Sequence, residues 1–194
     1  PVWRKFPNPA TIKERIWKDS AGVEWESKAI DSTNGRWVHW ITLANALRLL
    51  YDLIDGFVVC GGTDTMAYLA AALHYIFPNI GKPVVACASQ ISMHQLGDDG
   101  QKNLYFALSA AAGDLSGCHL AFGDFLRHGL HVFKVKDKAL AAFDSPPRFV
   151  IGEYDGDVHI FPNAPRKNPL VTKERLEYNP NFREGVKVVR ISPA

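Results

Sequence analysis

At 194 residues the chain is long enough for one sizeable hydrophobic core, or for one domain and the start of another. Its 47% hydrophobic and 22% charged residues are those of an ordinary soluble globular protein. The formal charge of +2, with no stretch concentrating Lys and Arg, argues against a nucleic-acid or membrane partner.

In chain order, residues 1–21 carry Pro7, Pro9 and mixed charges and read as a loop region with one short helix. Val23 to Ala29 alternates apolar and polar residues, as a strand does. Trp37 to Tyr51 places Trp37, Trp40, Ile41, Ala44, Leu47 and Leu50 at helical spacing. Gly56 to Cys60 is a continuous apolar run closed by Gly61-Gly62, the pattern of a strand buried on both faces. Asp64 to Ile76 then reads as a helix, ended by Pro78 and Gly81. Pro83 to Cys87 is a second buried strand, Asp98 to Ala112 another helix, and Gly117 to Phe122 a further strand. Strands alternating with helices of three to four turns imply parallel pairing through right-handed crossovers. The expected fold is α/β, an open, doubly wound, mostly parallel sheet of the three-layer flavodoxin-like or Rossmann-like kind.

From His131 the pattern changes to shorter strands, expected to be antiparallel: Val132 to Val135, Phe149 to Gly152 and Val158 to Phe161. Residues 162–184, rich in Pro, Asn and charge with no apolar period, read as a solvated linker. Arg166, Lys167, Lys173 and Arg175 lie in it, interrupted by Glu174 and Glu177. Residues 185–194 hold one more strand, Val186 to Ile191, read as the first strand of a second domain. The main domain is then 22–161.

Three cysteines, Cys60, Cys87 and Cys118, each in or beside a short apolar run, favour buried reduced thiols over a disulfide framework. That points to the cytosol or an organelle. No apolar run approaches the ~20 residues of a membrane span, and no signal-peptide pattern is found. The seven histidines show no HExxH and no close Cys/His spacing, so neither a metal nor a cofactor is expected.

Ligands of open parallel sheets bind at the carboxyl ends of strands. This directs attention to Gly61 to Thr65, to Ala88 to Ser92 and to the turn after Phe122. Two glycines allow a sharp turn and a close approach of backbone to ligand. From spacing alone, however, Thr63 and Asp64 are read as helix caps, and Asp98-Asp99-Gly100 likewise. Lys134, between Phe133 and Val135, reads as an edge-strand or snorkelling lysine. There is no Walker lysine, no complete GxGxxG and no GxSxG elbow.

Taken together, the motifs carry more. The string DGFVVCGGTDTMAYLAAAL, from Asp55 to Leu73, resembles the signature of the asparaginase family. Asp31-Ser32-Thr33-Asn34 resembles that family's substrate-binding turn. Gly81 to Val85 followed by Ala88-Ser89-Gln90, then Asp98 to Leu104, resemble its next strand, turn and helix opening. Leu120 to Lys134 resembles the segment that ends in its catalytic lysine. The wording is nearer to the cytosolic type I form than to the secreted one. The resemblance implies the amino-terminal α/β domain of the asparaginase fold and hydrolysis of the side-chain amide of L-asparagine, or less efficiently L-glutamine. It implies a threonine nucleophile and an acyl-enzyme, with Thr63, Asp64 and Lys134 as a charge-linked trio. Asp64 would also hold the substrate ammonium, Ser32 the α-carboxylate with Thr33 beside it, and groups near Ser89 the reacting amide. A homodimer or homotetramer is implied, with no cofactor.

Departures accompany the likeness. The family's Thr-Gly-Gly-Thr-Ile string, whose first threonine is usually the primary nucleophile, is not in this sequence. Val132 and Phe133 stand where a hydroxyl residue is common, and Cys60-Gly61 replaces a pairing that often includes His. The readings left open are a working amidohydrolase, a catalytically degenerate structural subunit, and an ammonia-releasing amidotransferase subunit. The segment alone is expected to be inactive.

Overall fold

The computed structural model describes residues 16–18, 24–26, 31–93, 95–183, 185 and 189. Residues 1–31 form one compact unit and residues 32–194 another. In the first, β1 (Ile16–Lys18) pairs antiparallel with β2 (Glu24–Glu26), Trp17 opposite Trp25. β2 takes the middle of the expected 23–29 strand. β1 occupies part of what reads as a loop, while the expected short helix lies outside the described residues.

The second unit opens with α1 (Trp37–Leu50), β3 (Phe57–Gly61), α2 (Met66–Ile76), β4 (Pro83–Ala88), α3 (Gly100–Ala112) and β5 (Gly117–Phe122). β3, β4 and β5 pair in parallel, Cys60 opposite Cys87 and Val84 opposite Cys118. β6 (Phe125–His128), β9 (Val150–Tyr154) and β10 (Val158–Ile160) then add antiparallel strands, in the order β10-β9-β6-β5-β4-β3. The hairpin of β7 (Phe133–Lys134) and β8 (Phe143–Asp144) stands apart from this sheet.

The alternation of β4 shows why the chain makes three layers. Val84, Ala86 and Ala88 join the core beneath α1 and α2, while Val85 and Cys87 join the core beneath α3 with Phe106, Ala107 and Ala110. Side chains of successive strand residues point to opposite faces, so a strand apolar at every position needs helices on both. The α/β class expected from the sequence is the one found.

Several local expectations are corrected. Among the described residues β3 pairs only with β4, and Cys60 and Gly61 at its end are exposed, so Cys60 does not have the burial expected of it. The antiparallel half begins at Phe125 rather than His131. α2 starts at Met66, and its N-cap residue, Thr65, makes no side-chain cap bond. The capping reading of Thr63 and Asp64 is therefore wrong: their side chains are engaged elsewhere. At α3 the cap reading holds for Asp98, whose Oδ1 accepts from the amides of Gly100 and Gln101 at 3.1 and 3.2 Å.

Residues 162–183 carry no regular structure but are not a solvated linker. Ala164 and Leu176 are buried, and Tyr178 donates to Asn45 on α1. Phe182 packs against Trp37 and Trp40, and the Asn179 amide donates to the Ile76 carbonyl at 2.8 Å. This strap covers the outer side of α1 and the end of α2. The expected strand at Val186 to Ile191 falls almost wholly outside the described residues.

Histidines gather where α2 meets the ends of β5 and β6. The rings of His74 and His119 lie 5.2 and 5.4 Å from that of His128, which is 5.5 Å from His131. His119 is fully buried, and its Nε2 donates to the Ser116 carbonyl at 2.6 Å. Its Nδ1, like that of His74, has no hydrogen-bond partner among the described residues. Burial first, and the neighbouring imidazoles second, push His119 down to about 3 and His128 down to about 4. Among the described residues no group of three His, Cys, Asp or Glu could hold a metal ion, and no helix is long and apolar enough to cross a membrane.

Candidate active site

The site is assembled at the carboxyl ends of β3 and β4. After Gly61 the chain turns through Gly62 and Thr63 before α2 begins. A Cβ on Gly62 would lie 2.3 Å from Ser32 Oγ, so only glycine admits the short helical turn at Ser32–Asn34 this closely. Thr65 Oγ1 ties the two segments by donating to the Ser32 carbonyl at 2.9 Å.

Thr63 is buried, and its Oγ1 donates to Gln90 Oε1 at 3.1 Å. Lys134 Nζ donates to the same Thr63 Oγ1 at 2.9 Å and to Asp64 Oδ1 at 2.7 Å. Ser32 Oγ donates to Asp64 Oδ2 at 3.3 Å. Thr63, Asp64, Lys134 and Ser32 thus form one chain of polar contacts, although Lys134 stands 71 residues from Thr63. A threonine hydroxyl has one proton and two lone pairs. Its proton is committed to Gln90 and one lone pair to Lys134, which leaves one lone pair for an electrophile.

The lysine arrives on the β7–β8 hairpin. Val132 is buried and Phe133 is exposed, so alternation turns Lys134 back toward the turn, with only 16% of its side chain exposed. Phe143 holds the hairpin to the sheet by an edge contact with Phe122, ring centroids 4.8 Å apart. Lys134 is therefore not a snorkelling or edge-protecting residue. The Asp64 side chain is 46% exposed, so the ion pair is worth little to stability. Its effect is positional.

Gln90 is a site residue to which the sequence alone assigned no role. Besides accepting from Thr63, it donates from Nε2 to the carbonyls of Asp137 at 2.9 Å and Ala139 at 3.1 Å, beyond the lysine. Its own amide and that of Ile91 donate to the Asp99 carboxylate at 3.0 Å. Asn103 Nδ2 in turn bonds Asp99 Oδ2 and the Ala88 carbonyl. Asp99 therefore braces the turn after β4 rather than capping α3. The signal for Gln90 available in the sequence was its place two residues after the end of β4 at Ala88. Thr33 is exposed, one residue beyond Ser32. Ser89 is half-buried and lines a cavity of about 80 Å³ on the α3 side, together with Cys60, Cys87 and Met93.

Residues 9–166 match the family model described as "Asparaginase, N-terminal". The chain belongs to the asparaginase family. It is 31% identical over 170 residues to an L-asparaginase of Dirofilaria immitis, which covers 85% of this chain and 28% of that protein. It is 40% identical over 118 residues to L-asparaginase 1 of Escherichia coli K12, covering 60% of this chain and 35% of that one. Among solved structures, L-asparaginase I from Vibrio cholerae superposes with a TM-score of 0.70 at 34% identity, covering 78% of this chain and 45% of the other. A glutamyl-tRNA(Gln) amidotransferase component of Thermoplasma acidophilum is 28% identical over 172 residues, 84% of this chain and 40% of that protein. The asparaginase-family chain described here thus spans less than half the length of these relatives.

Proposed function

We propose that this chain supplies one half of the active site of an amidohydrolase that converts L-asparagine to L-aspartate and ammonia. The observation that carries the reading is the pair of bonds from Lys134 Nζ, to Thr63 Oγ1 and to Asp64 Oδ1. A cation 2.9 Å from a hydroxyl stabilises the alkoxide as it forms, and it does so without reorganisation at that moment. In the proposed reaction Thr63 Oγ1 attacks the side-chain carbonyl carbon, ammonia leaves, and water hydrolyses the resulting ester. The exposed half of Asp64 accepts the substrate's α-ammonium. On binding, the Ser32 hydroxyl turns its proton from Asp64 to the α-carboxylate beside Thr33. Ser89 and its backbone locate the amide. We further propose a cytosolic homo-oligomer, a setting that suits three unpaired thiols.

The likeness to the glutamyl-tRNA(Gln) amidotransferase component supports a second reading, in which the ammonia is passed on for amidation of a charged transfer RNA. One assay separates the two. Ammonia release from L-asparagine, L-glutamine and buffer is measured on the longest natural form of the protein. Release from free L-asparagine supports the hydrolase, and a folded protein that releases none overturns it. In an active preparation Thr63→Ala and Lys134→Ala should lower kcat by at least about 100-fold, whereas Ser32→Ala should mainly raise KM. Unchanged kinetics in all three would remove the site assignment.

A further inference from the structure

Two thiols that the reaction above does not use stand side by side near the carboxyl ends of β3 and β4. Cys60 and Cys87 are in-register partners on adjacent parallel strands, with their sulfurs 3.4 Å apart. Neighbouring strands lie ~4.8 Å apart, inside the range of Cα separations that a disulfide spans. Cys60 is exposed, and both cysteines line the cavity of about 80 Å³ shared with Ser89, Met93 and Leu104, space enough for a small hydroperoxide. Cys118, the third thiol, is fully buried.

We propose that Cys60 and Cys87 form an oxidation site, at which a hydroperoxide converts the two thiols into a reversible intrachain disulfide that repositions Thr63 relative to Gln90. The Cys60 thiolate attacks the distal peroxide oxygen, the O–O bond breaks, and the alcohol or water leaves with the remaining proton. The sulfenic acid on Cys60 is then attacked by the Cys87 sulfur, and hydroxide departs with the Cys87 proton as water. Two thiols lose two electrons and the hydroperoxide gains them; a dithiol reductant reverses the step by exchange.

The electrostatics favour Cys60 as the attacking partner. The Cys87 thiol donating to its sulfur holds Cys60 down to about 7, whereas the same contact and burial push Cys87 up. Cys60 therefore carries more thiolate at neutral pH than an ordinary thiol, whose value lies near ~8.5. Burial pushes Cys118 up as well, which leaves it inert.

The lever arms are equal. Thr63 stands three residues after Cys60 and Gln90 three after Cys87, and the Thr63–Gln90 hydrogen bond closes the loop between them. Closing the sulfurs from 3.4 Å to the covalent length of ~2.05 Å turns both side chains, and the backbone adjustment that goes with it falls on the less braced strand end. β4 is braced by Asp99 and Asn103, whereas β3 runs straight into Gly61 and Gly62. The displacement therefore falls on Gly61 to Thr63.

The test uses the reduced chain treated with hydrogen peroxide at neutral pH and digested without reduction. The expected product is a Cys60–Cys87 linked peptide pair lacking two hydrogens, restored by dithiothreitol, with Cys118 alkylated only after unfolding. Cys87→Ser should stop at a Cys60 sulfenic acid that dimedone traps, and Cys60→Ser should leave Cys87 unoxidised. A disulfide involving Cys118 or a second chain, or a Cys60 that survives peroxide where free cysteine is consumed, would overturn the assignment. In hydrogen exchange, peptides spanning residues 61–66 should change protection on oxidation and return on reduction. Unchanged exchange there would overturn the coupling to Thr63. None of these readouts depends on amide hydrolysis, so this proposal and the proposed function can fail separately.

Discussion

Acidification should destabilise the domain through His119, and the size of that effect follows from its surroundings. Only the neutral ring fits: Nε2–H donates to the Ser116 carbonyl, while a proton on Nδ1 would find no acceptor and would face the rings of His128 and His74. The folded value of about 3 lies below the unfolded imidazole value of ~6.5. The unfolded chain therefore binds the proton first. The contribution is complete above ~6.5 and is lost by ~1.36 kcal/mol per pH unit below it, until the folded ring titrates. At about pH 5 the loss amounts to ~2 kcal/mol, or roughly 4–8 °C in Tm for a domain of this size. Thermal melts followed by far-ultraviolet circular dichroism between about pH 8 and 5 would compare the parent chain with His119→Gln, whose amide can still donate to Ser116. The variant should be less stable or equal at high pH and should lose less on acidification. Parallel curves over that range would refute the reasoning.

Two further outcomes follow from the site's supports. Asp99→Ala removes the acceptor for the Gln90 and Ile91 amides and for Asn103, so it should cost about 2–4 kcal/mol in urea unfolding; a cost below about 0.5 kcal/mol would show that the turn does not need its brace. Gly62→Ala places a methyl 2.3 Å from Ser32 Oγ and should displace the Ser32 turn. It should raise the KM of an active preparation more than it lowers kcat, and an unchanged KM would count against the role given to Ser32.

How far the sequence could be read varied with the kind of contact. The parallel half was legible because β3, β4 and β5 are unbroken apolar runs between amphipathic segments. The antiparallel half was harder. β6 places Arg127 in a strand, and β7 and β8 are two residues each, too short for a period to show. Periodicity also could not tell that the end of β3 is exposed, since a covered and an uncovered strand end can share the same apolar run. At the site, the resemblance named Thr63, Asp64 and Lys134, and the structure brings these three into contact. Local spacing alone made the first two caps. It failed because Lys134 and Gln90 compete for the same side chains from 70 and 27 residues away, which no local window contains. Gln90 escaped notice for the same reason.

The strap formed by residues 162–183 also sets a timetable for synthesis. Asn45 meets its partner Tyr178 only after 133 further residues are made. At roughly 5–20 residues per second, the outer side of α1, including Trp37 and Trp40, stays uncovered on the ribosome for on the order of ten seconds. Until the strap docks, that surface is open to chaperones and to neighbouring nascent chains. A truncation that ends before Phe182 makes the exposure permanent.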